Sequence, residues 1–551
     1  MNGSKKRDSF ILQAGILAAA GFISRIIGLL YVSPVTRIIG HVGLGYYQSA
    51  YNYYAIVLMI SSYSIPSAIS KVIAQKLSLR EYRNAHRVFI CAMYYVLGVG
   101  LVASLLLFFG AGHLVPESAA PVLQVLAPTI FVYGVLGVLR GYFQAHKSMV
   151  QTSVSQILEQ IVNAAVSIGA AYGFIVWFMG TYEKSSEAAE QTRRAVYGAM
   201  GSALGTGAGV LAALLFMAAV YALNRPMIQR RIERDHTRQV DSYREISVMI
   251  LQVVLPFIMS TAVYNLSSSL NNKLYTDIMI KFRHAAEDLV VGDYGLFNGE
   301  AMKISNIPIA FSSAMAAAII PTVSQLVARK ELADARDKMA QAVKTIMLIS
   351  IPSAVGLFVL AKPVTWLLFP DEATIELAAK ILMALAVSVI FYALSTLSNS
   401  ILQGVGRVNT PIVNAAIALL IQTAVMVPLL FFTDLGIYGV VIATILYSGL
   451  MCVLNQLSLR KALGYRQEIM NTFIVPFIAS AFMGAIAWVI YESLLMLTGS
   501  IVVSVLPAIA VGAVVYFALV ILFKGVTEEE LRAMPKGHLL VRAARKCGLL
   551  R

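Results

Sequence analysis

The sequence predicts an all-α polytopic membrane protein of about fourteen transmembrane helices. Three observations predict it. Of 551 residues, 58% are hydrophobic and only 13% are charged, about half the charged share of an ordinary soluble domain. Apolar runs long enough to cross a bilayer as helices, about 20 residues each, recur along the whole chain. The charges that do occur are gathered in the short segments between those runs.

The runs fall at 9–39, 43–73, 88–111, 119–146, 149–179, 196–224, 244–275, 293–326, 339–361, 374–403, 409–433, 437–460, 468–497 and 501–524. The first follows Lys5, Lys6 and Arg7. It is too long for a signal-peptide core and has no convincing cleavage site, so it reads as an uncleaved span. Several runs are long enough to tilt or to extend past the membrane. The intervening segments alternate in character. One set is basic: Lys76, Arg80, Arg83 and Arg87; His146 and Lys147; Arg225 to Arg244; Arg329 to Lys338; Arg407; Arg460 to Arg466; and the tail. The other set is small, polar or acidic, as at Pro116-Glu117-Ser118 and Pro370-Asp371-Glu372. Positive-inside orientation puts the basic set in the cytoplasm together with both termini. An even number of spans agrees with that. The basic, partly amphipathic segment from Lys524 to Arg551 reads as a tail on anionic membrane lipid or as a partner-binding helix.

An internal repeat organises the runs. Ile65-Pro-Ser-Ala-Ile-Ser-Lys-Val-Ile-Ala-Gln-Lys76 resembles Ile320-Pro-Thr-Val-Ser-Gln-Leu-Val-Ala-Arg-Lys330. Tyr142-Phe-Gln-Ala-His-Lys-Ser matches Ile401-Leu-Gln-Gly-Val-Gly-Arg in the same order. The chain therefore divides into a six-helix lobe at 1–224, a basic linker at 225–243, a second six-helix lobe at 244–460, two further helices at 461–524 and a tail at 525–551. Parallel repeats of this kind place a substrate site between the lobes and move it by rocking.

The net charge of +15 does not point to nucleic acid, because it lies in loops facing anionic lipid. Cys91, Cys452 and Cys547 are scattered, which leaves neither a disulfide framework nor a metal site. No Gly-x-x-x-x-Gly-Lys-Ser/Thr loop occurs, so ATP hydrolysis and a bound cofactor are not expected. Gly201, Gly205 and Gly209 form a ladder suited to close helix packing rather than to cradling phosphate.

The most informative residues are cations inside apolar runs. Arg25 sits about 15 residues from either end of its span, where a charge costs several kcal/mol unless it meets water or a partner. It is either an anion ligand facing a cavity or half of an ion pair with Glu159. Lys303 lies about 15 Å below one surface by helical rise. Either it faces the cavity, or Glu300 one turn away neutralises it. Arg140 is near enough to a span end to snorkel, or it binds substrate. Lys273 reads as an interface anchor. Lys71 is either an entrance cation or an ordinary positive-inside lysine. Glu159 is a counter-ion or a proton-coupling carboxylate. Tyr46, Tyr47, Tyr51, Tyr53 and Tyr54 read as an aromatic belt at the interface, with sugar stacking as the alternative.

Gly21-Phe-Ile-Ser-Arg-Ile-Ile-Gly28 with Arg37-Ile-Ile-Gly40, Leu139-Arg-Gly-Tyr-Phe-Gln-Ala-His-Lys147, and Gly299-Glu-Ala-Met-Lys-Ile-Ser-Asn-Ile-Pro308 resemble the MurJ/SpoVB-type lipid II flippases. These belong to the multidrug/oligosaccharidyl-lipid/polysaccharide exporter superfamily. The resemblance runs along the whole chain. It implies two six-helix lobes around a central cavity and a last pair of helices forming a lipid-tail groove. It also implies a location in the bacterial cell membrane and a polyprenyl-pyrophosphate-linked cell-wall precursor as substrate, with the cell-wall synthesis machinery as a possible partner. Family arginines on helices one, two and eight line the cavity. Arg25 matches the first, and Lys303 stands at the helix-eight position, keeping charge without the bidentate fork. Tyr31 stands where a second helix-one arginine is expected, and Lys71 is the nearest cation on helix two. Some family members bind sodium through aspartates on helices seven and eleven; those helices here offer Asn265, Asn271, Asn272 and Asn414, with Asp277 only at a border, so no sodium site is carried over.

Three other classes fit less well. A drug antiporter calls for cavity acids and usually twelve helices. A membrane glycosyltransferase calls for a loop-borne catalytic acid, which the loops at 180–195 and 276–292 do not arrange. A scaffold has no use for deep cations. A capsule or sporulation-specific lipid-linked glycan remains the alternative substrate.

Overall fold

A computed structural model describes residues 20 to 528 apart from Phe22, Arg25, Ser64, Lys147, 180–186, 236–239 and Val408, together with Arg542 and Arg545. Every regular element among the described residues is helical. The first part holds α1 (Val32–Leu58), α2 (Ile65–Ser78), α3 (Tyr82–Leu114), α4 (Ala120–Ala145), α5 (Val150–Met179), α6 (Glu187–Glu233), α7 (Tyr243–Asp277) and α8 (Glu287–Tyr294). The second holds α9 (Met302–Ala328), α10 (Leu332–Val359), α11 (Ala361–Leu368), α12 (Ile375–Gly404), α13 (Asn409–Phe432), α14 (Ile437–Leu463), α15 (Val475–Thr498) and α16 (Ile501–Leu522).

Ten helices among the described residues are long and apolar enough to cross a membrane. They coincide with ten of the expected spans. Of the other four, 9–39 lies partly outside the described residues, 43–73 and 293–326 fall where the helices are interrupted, and 244–275 falls within α7. The first two meet in α1, which breaks at Gly40 (φ 71°, ψ 174°), a backbone conformation that glycine alone adopts cheaply. Single π-helical turns follow at Met59–Tyr63, Ile278–Phe282 and Gly295–Ala301. Such turns leave backbone groups that neighbouring side chains or water must satisfy, and they recur at functional sites.

The chain forms two compact units, Met1–Gly295 and Leu296–Arg551. The division falls inside the π-helical turn that leads into α9. By packing, α7 and α8 therefore lie with the first unit. Helix α7 starts at a capping box, in which the Ser242 hydroxyl accepts from the Glu245 N–H at 3.2 Å and the Glu245 carboxylate accepts from the Ser242 N–H at 2.8 Å.

Within the first unit, α5 and α6 approach most closely along the glycine ladder. A Cβ on Gly201 would lie 2.3 Å from the Ala170 carbonyl oxygen, and one on Gly205 2.1 Å from Ser167 Oγ and 2.5 Å from its backbone nitrogen. One on Gly209 would lie 2.5 Å from the Glu159 carbonyl oxygen. The ladder is a packing face. Gly205→Val is expected to part the two helices and cost at least ~1–3 kcal/mol. A shift of the purified variant from a single folded species to aggregate in detergent chromatography checks this.

In the second unit α12 is central, with buried Leu394, Leu397 and Ile401 packed against α10 and α14. Helices α15 and α16 form a hairpin turned by Gly499 (φ 64°), and Tyr516 Oη donates to the Leu348 carbonyl of α10 at 2.8 Å.

The internal repeat is visible in the backbone. Arg80 (φ 62°) and Lys330 (φ 63°) turn the chain in the same left-handed conformation, each followed by a glutamate that opens the next helix. The turn thus pairs Arg80 with Lys330. The correspondence of Lys76 with Lys330 read from the sequence slips by about one helical turn. The second match keeps its register. His146 ends α4 with φ −79°, ψ 10°, and Val405 ends α12 with φ −79°, ψ −2°. Ser148 N–H bonds the Phe143 carbonyl as Arg407 N–H bonds that of Leu402.

Candidate substrate site

The register at the ends of α4 and α12 makes Arg140 the counterpart of Asn399, and Ser155 that of Asn414. Both pairs sit in buried polar networks. In the first unit Arg140 Nε donates to Ser155 Oγ at 2.9 Å, and its Nη2 meets Glu159 Oε2 at 2.8 Å. Arg140 is only 4% exposed. In the second unit Asn414 Nδ2 donates to Asn455 Oδ1 at 2.8 Å, and Asn455 Nδ2 donates to Asn399 Oδ1 at 2.7 Å. One repeat uses a charged bridge where the other uses neutral amides. An apolar surrounding demands that either be satisfied.

Glu159 is one member of a polar stripe along α5 that sequence reasoning missed. Thr152, Ser155, Gln156, Glu159, Gln160, Asn163 and Ser167 recur at helical spacing in an otherwise apolar helix. That periodicity was the available signal. Asn163 Nδ2 approaches Tyr31 Oη at 3.4 Å, and Ser167 Oγ bridges Asn163 and the Ser202 carbonyl. Thr152 Oγ1 and Gln156 Oε1 are buried with no partner among the described residues, an arrangement that favours a polar guest or water. Gly28 also faces this stripe, 3.6 Å from Gln160 Oε1 as measured from an ideal Cβ.

The sequence-predicted residues separate as follows. Arg25 lies outside the described residues. Lys71 lies on α2, with its side chain outside the description. Arg140 and Glu159 form one ion pair in the first unit. Glu300, 3% exposed, closes the π-helical turn in the second unit, and Lys303 follows on α9, half-buried. Their charges interact, but no ion pair within 4.0 Å links them among the described residues. Lys273 pairs with Asp277 at 3.1 Å, and Lys281 shares the same carboxylate at 2.9 Å. Near the Arg80 turn, burial opposes the charge of Lys76, but hydrogen bonds to Asp241 and Glu81 outweigh it and raise its pKa.

The tyrosines correct the belt expectation. Tyr46, Tyr47 and Tyr54 are core residues packed among α1, α4 and α6, while Tyr51 is exposed. Their phenols need partners once buried. Tyr47 Oη meets Thr206 Oγ1 at 3.0 Å, and Tyr46 Oη donates to Asp288 Oδ1 at 2.7 Å. Thr192 Oγ1 donates to the other Asp288 oxygen at 2.7 Å. Asp288 thus ties α8 to α1 and α6. Beside it Gly45 admits the Val291 carbonyl so closely that a Cβ would lie 2.0 Å from it. Asp288→Ala leaves two hydroxyls without their acceptor, at ~1–3 kcal/mol. Hydrogen exchange across 187–195 and 287–294 is expected to quicken about tenfold or more.

A family model described as "Lipid II flippase MurJ" matches residues 85–510. The chain belongs to the MurJ family of lipid II flippases. Members are transporters, not bond-making enzymes. The chain is 23% identical over 539 residues to "Lipid II flippase MurJ" of Bacillus subtilis (strain 168), covering 94% of this chain and 95% of that protein. It is 22% identical over 542 residues to "Stage V sporulation protein B" of the same strain, covering 97% and 100%. Among solved structures, lipid II flippase MurJ in an inward closed conformation superposes with a TM-score of 0.66 at 15% identity, over 92% of this chain and 98% of that one. An inward-facing multidrug transporter of the wider superfamily gives 0.62 at 17% identity, over 80% and 94%. The all-α MurJ-type transporter fold and the multi-pass membrane location expected from the sequence follow.

Proposed function

We propose that this chain moves lipid II, a polyprenyl-pyrophosphate-linked cell-wall precursor, from the inner to the outer leaflet by alternating access. The observation that carries the reading is a family match running through both units. Fourteen spans with both termini and the basic turns in the cytoplasm fit it, as does a groove for the lipid tail along α15 and α16. The basic segment from residue 525 onward rests on anionic lipid, and the cell-wall synthesis machinery supplies or removes the substrate.

A pyrophosphate must be desolvated to cross, and fixed cations in apolar surroundings offset that cost. Arg25 and Lys303 are the proposed principal ligands, with Lys71 at the entrance. Arg140 reaches the substrate only by giving up Glu159. Glu159 and Glu300 neutralise the cations while the site is empty. The match covering the full length of "Stage V sporulation protein B" favours a sporulation-specific precursor as the second reading.

Complementation tests both readings. Cells depleted of their own lipid II flippase should grow with this chain and fail with Arg25→Ala or Lys303→Ala at equal membrane levels. Rescue confined to spores of a strain lacking stage V sporulation protein B selects the second reading. Rescue by both variants removes the cation mechanism, and no rescue in either strain removes the function.

A further inference from the structure

At the Arg80 end of the first unit, the ends of α2 to α6 surround a half-open cavity of about 210 Å³. Its polar lining includes Tyr82, His86, Tyr142, His146, Ser148, Gln151, Asn224 and Arg231, and no carboxylate is among the described lining residues. Met227, Ile228 and Ile232 give it an apolar side. Of the nearby acids, Glu233 is exposed to solvent and two others are engaged elsewhere. Asp235 accepts the Arg83 N–H at 2.7 Å, and Glu81 pairs with Lys76 at 3.0 Å.

The lining is held in place. Rings of His86, Phe89, Tyr142 and His146 follow one another at centroid distances of 6.1, 4.9 and 4.5 Å. His146 Nδ1 donates to the Tyr142 carbonyl at 2.9 Å, so Nε2 of the neutral ring is an acceptor and becomes a donor to an anion only once the ring takes up a proton. Ser148 Oγ donates to Gln151 Oε1 at 2.5 Å, which leaves the Gln151 amide nitrogen to donate. His86 Nδ1 is sealed from solvent with no partner among the described residues. Arg231 is exposed at the rim, where a guanidinium suits a phosphoryl group.

We propose that this cavity is a binding site for a phosphate group carried on a small, partly apolar body. The Arg231 guanidinium and the Gln151 and Asn224 amides, with no carboxylate among the described lining residues, select an anion, and the Met227 and Ile228 side takes the rest of the ligand. The volume is below the ~300 Å³ at which drug-sized ligand sites begin, so it holds a headgroup-sized ligand and not the sugar-peptide of a cell-wall precursor. The site is therefore additional to the transport path. A bound phosphate would link the end of α4, the start of α5 and the end of α6. Two sources carry that chemistry: the headgroup of an anionic phospholipid in the adjacent leaflet, or a soluble phosphorylated metabolite.

The test uses the full chain in nanodiscs and hydrogen exchange across 142–151 and 221–232. One arm compares phosphatidylglycerol with phosphatidylcholine discs; the other titrates glycerol 3-phosphate into phosphatidylcholine discs. Protection in the first arm alone assigns the lipid headgroup, and protection on titration assigns the soluble ligand. In the responsive arm Arg231→Gln and Gln151→Leu should each weaken binding fivefold or more. Arg329→Gln/Lys330→Gln, basic residues of the other unit, should change it less than twofold. Arg231 is exposed, so its variant keeps the fold. No protection in either arm overturns the proposal, as does an equal loss in the Arg329→Gln/Lys330→Gln control.

Discussion

Arg140→Ala is expected to lower stability by up to roughly 3–5 kcal/mol, the cost of leaving a largely buried carboxylate without its counter-charge. Glu159 is that carboxylate, and Ser155 loses its donor at the same time. The double variant Arg140→Met/Glu159→Leu should recover most of the loss, because it removes both charges and keeps apolar volume. Denaturant or SDS titration of the four proteins gives the coupling as a double-mutant cycle. If Arg140 were chiefly a substrate ligand, Arg140→Met would fold like the wild type and only transport would fall. The second unit gives an internal control. Asn399→Ala leaves an uncharged amide unpaired at the equivalent place and should cost only about 1–3 kcal/mol.

The second large effect concerns transport. A charged hydrogen bond is worth about 1.5–3 kcal/mol, so Arg25→Ala and Lys303→Ala should each weaken affinity for a pyrophosphate lipid about ten- to a hundredfold. Arg25→Lys keeps the charge and should lose less. Lys303→Arg restores the planar fork and should bind at least as well as wild type where the span has room. Affinity measured against the pyrophosphate and monophosphate forms of one polyprenol separates charge recognition from tail binding. The alanine variants should lower the preference for pyrophosphate and leave monophosphate binding nearly unchanged.

Much of the architecture was legible because bilayer physics writes itself into composition. Every long apolar run corresponds to helix among the described residues, and the two short repeats mark turns of matching backbone geometry at His146 and Val405. The Arg80 turn shows the limit. Lysines recur throughout basic loops, so a shared lysine fixed the register less well than the left-handed residue does. The site was legible by residue type but not by partner. Arg140 and Glu159 are 19 residues apart on different helices, a pairing that no helical periodicity encodes. The tyrosines of α1 resemble an interfacial belt in composition. Only the packing of α4 and α6, and an aspartate 242 residues away, shows that Tyr46 is core. The α5 stripe was readable from the three- and four-residue spacing of its polar side chains.

Transbilayer movement of fluorescent lipid II in proteoliposomes tests the central claim most directly. The wild type should carry labelled lipid II across the bilayer. Arg25→Ala/Lys303→Ala should slow it tenfold or more at equal amounts of folded protein. Wild-type protein that leaves lipid II in its original leaflet, or a double variant that moves it at the wild-type rate, would contradict a cation-lined lipid II flippase.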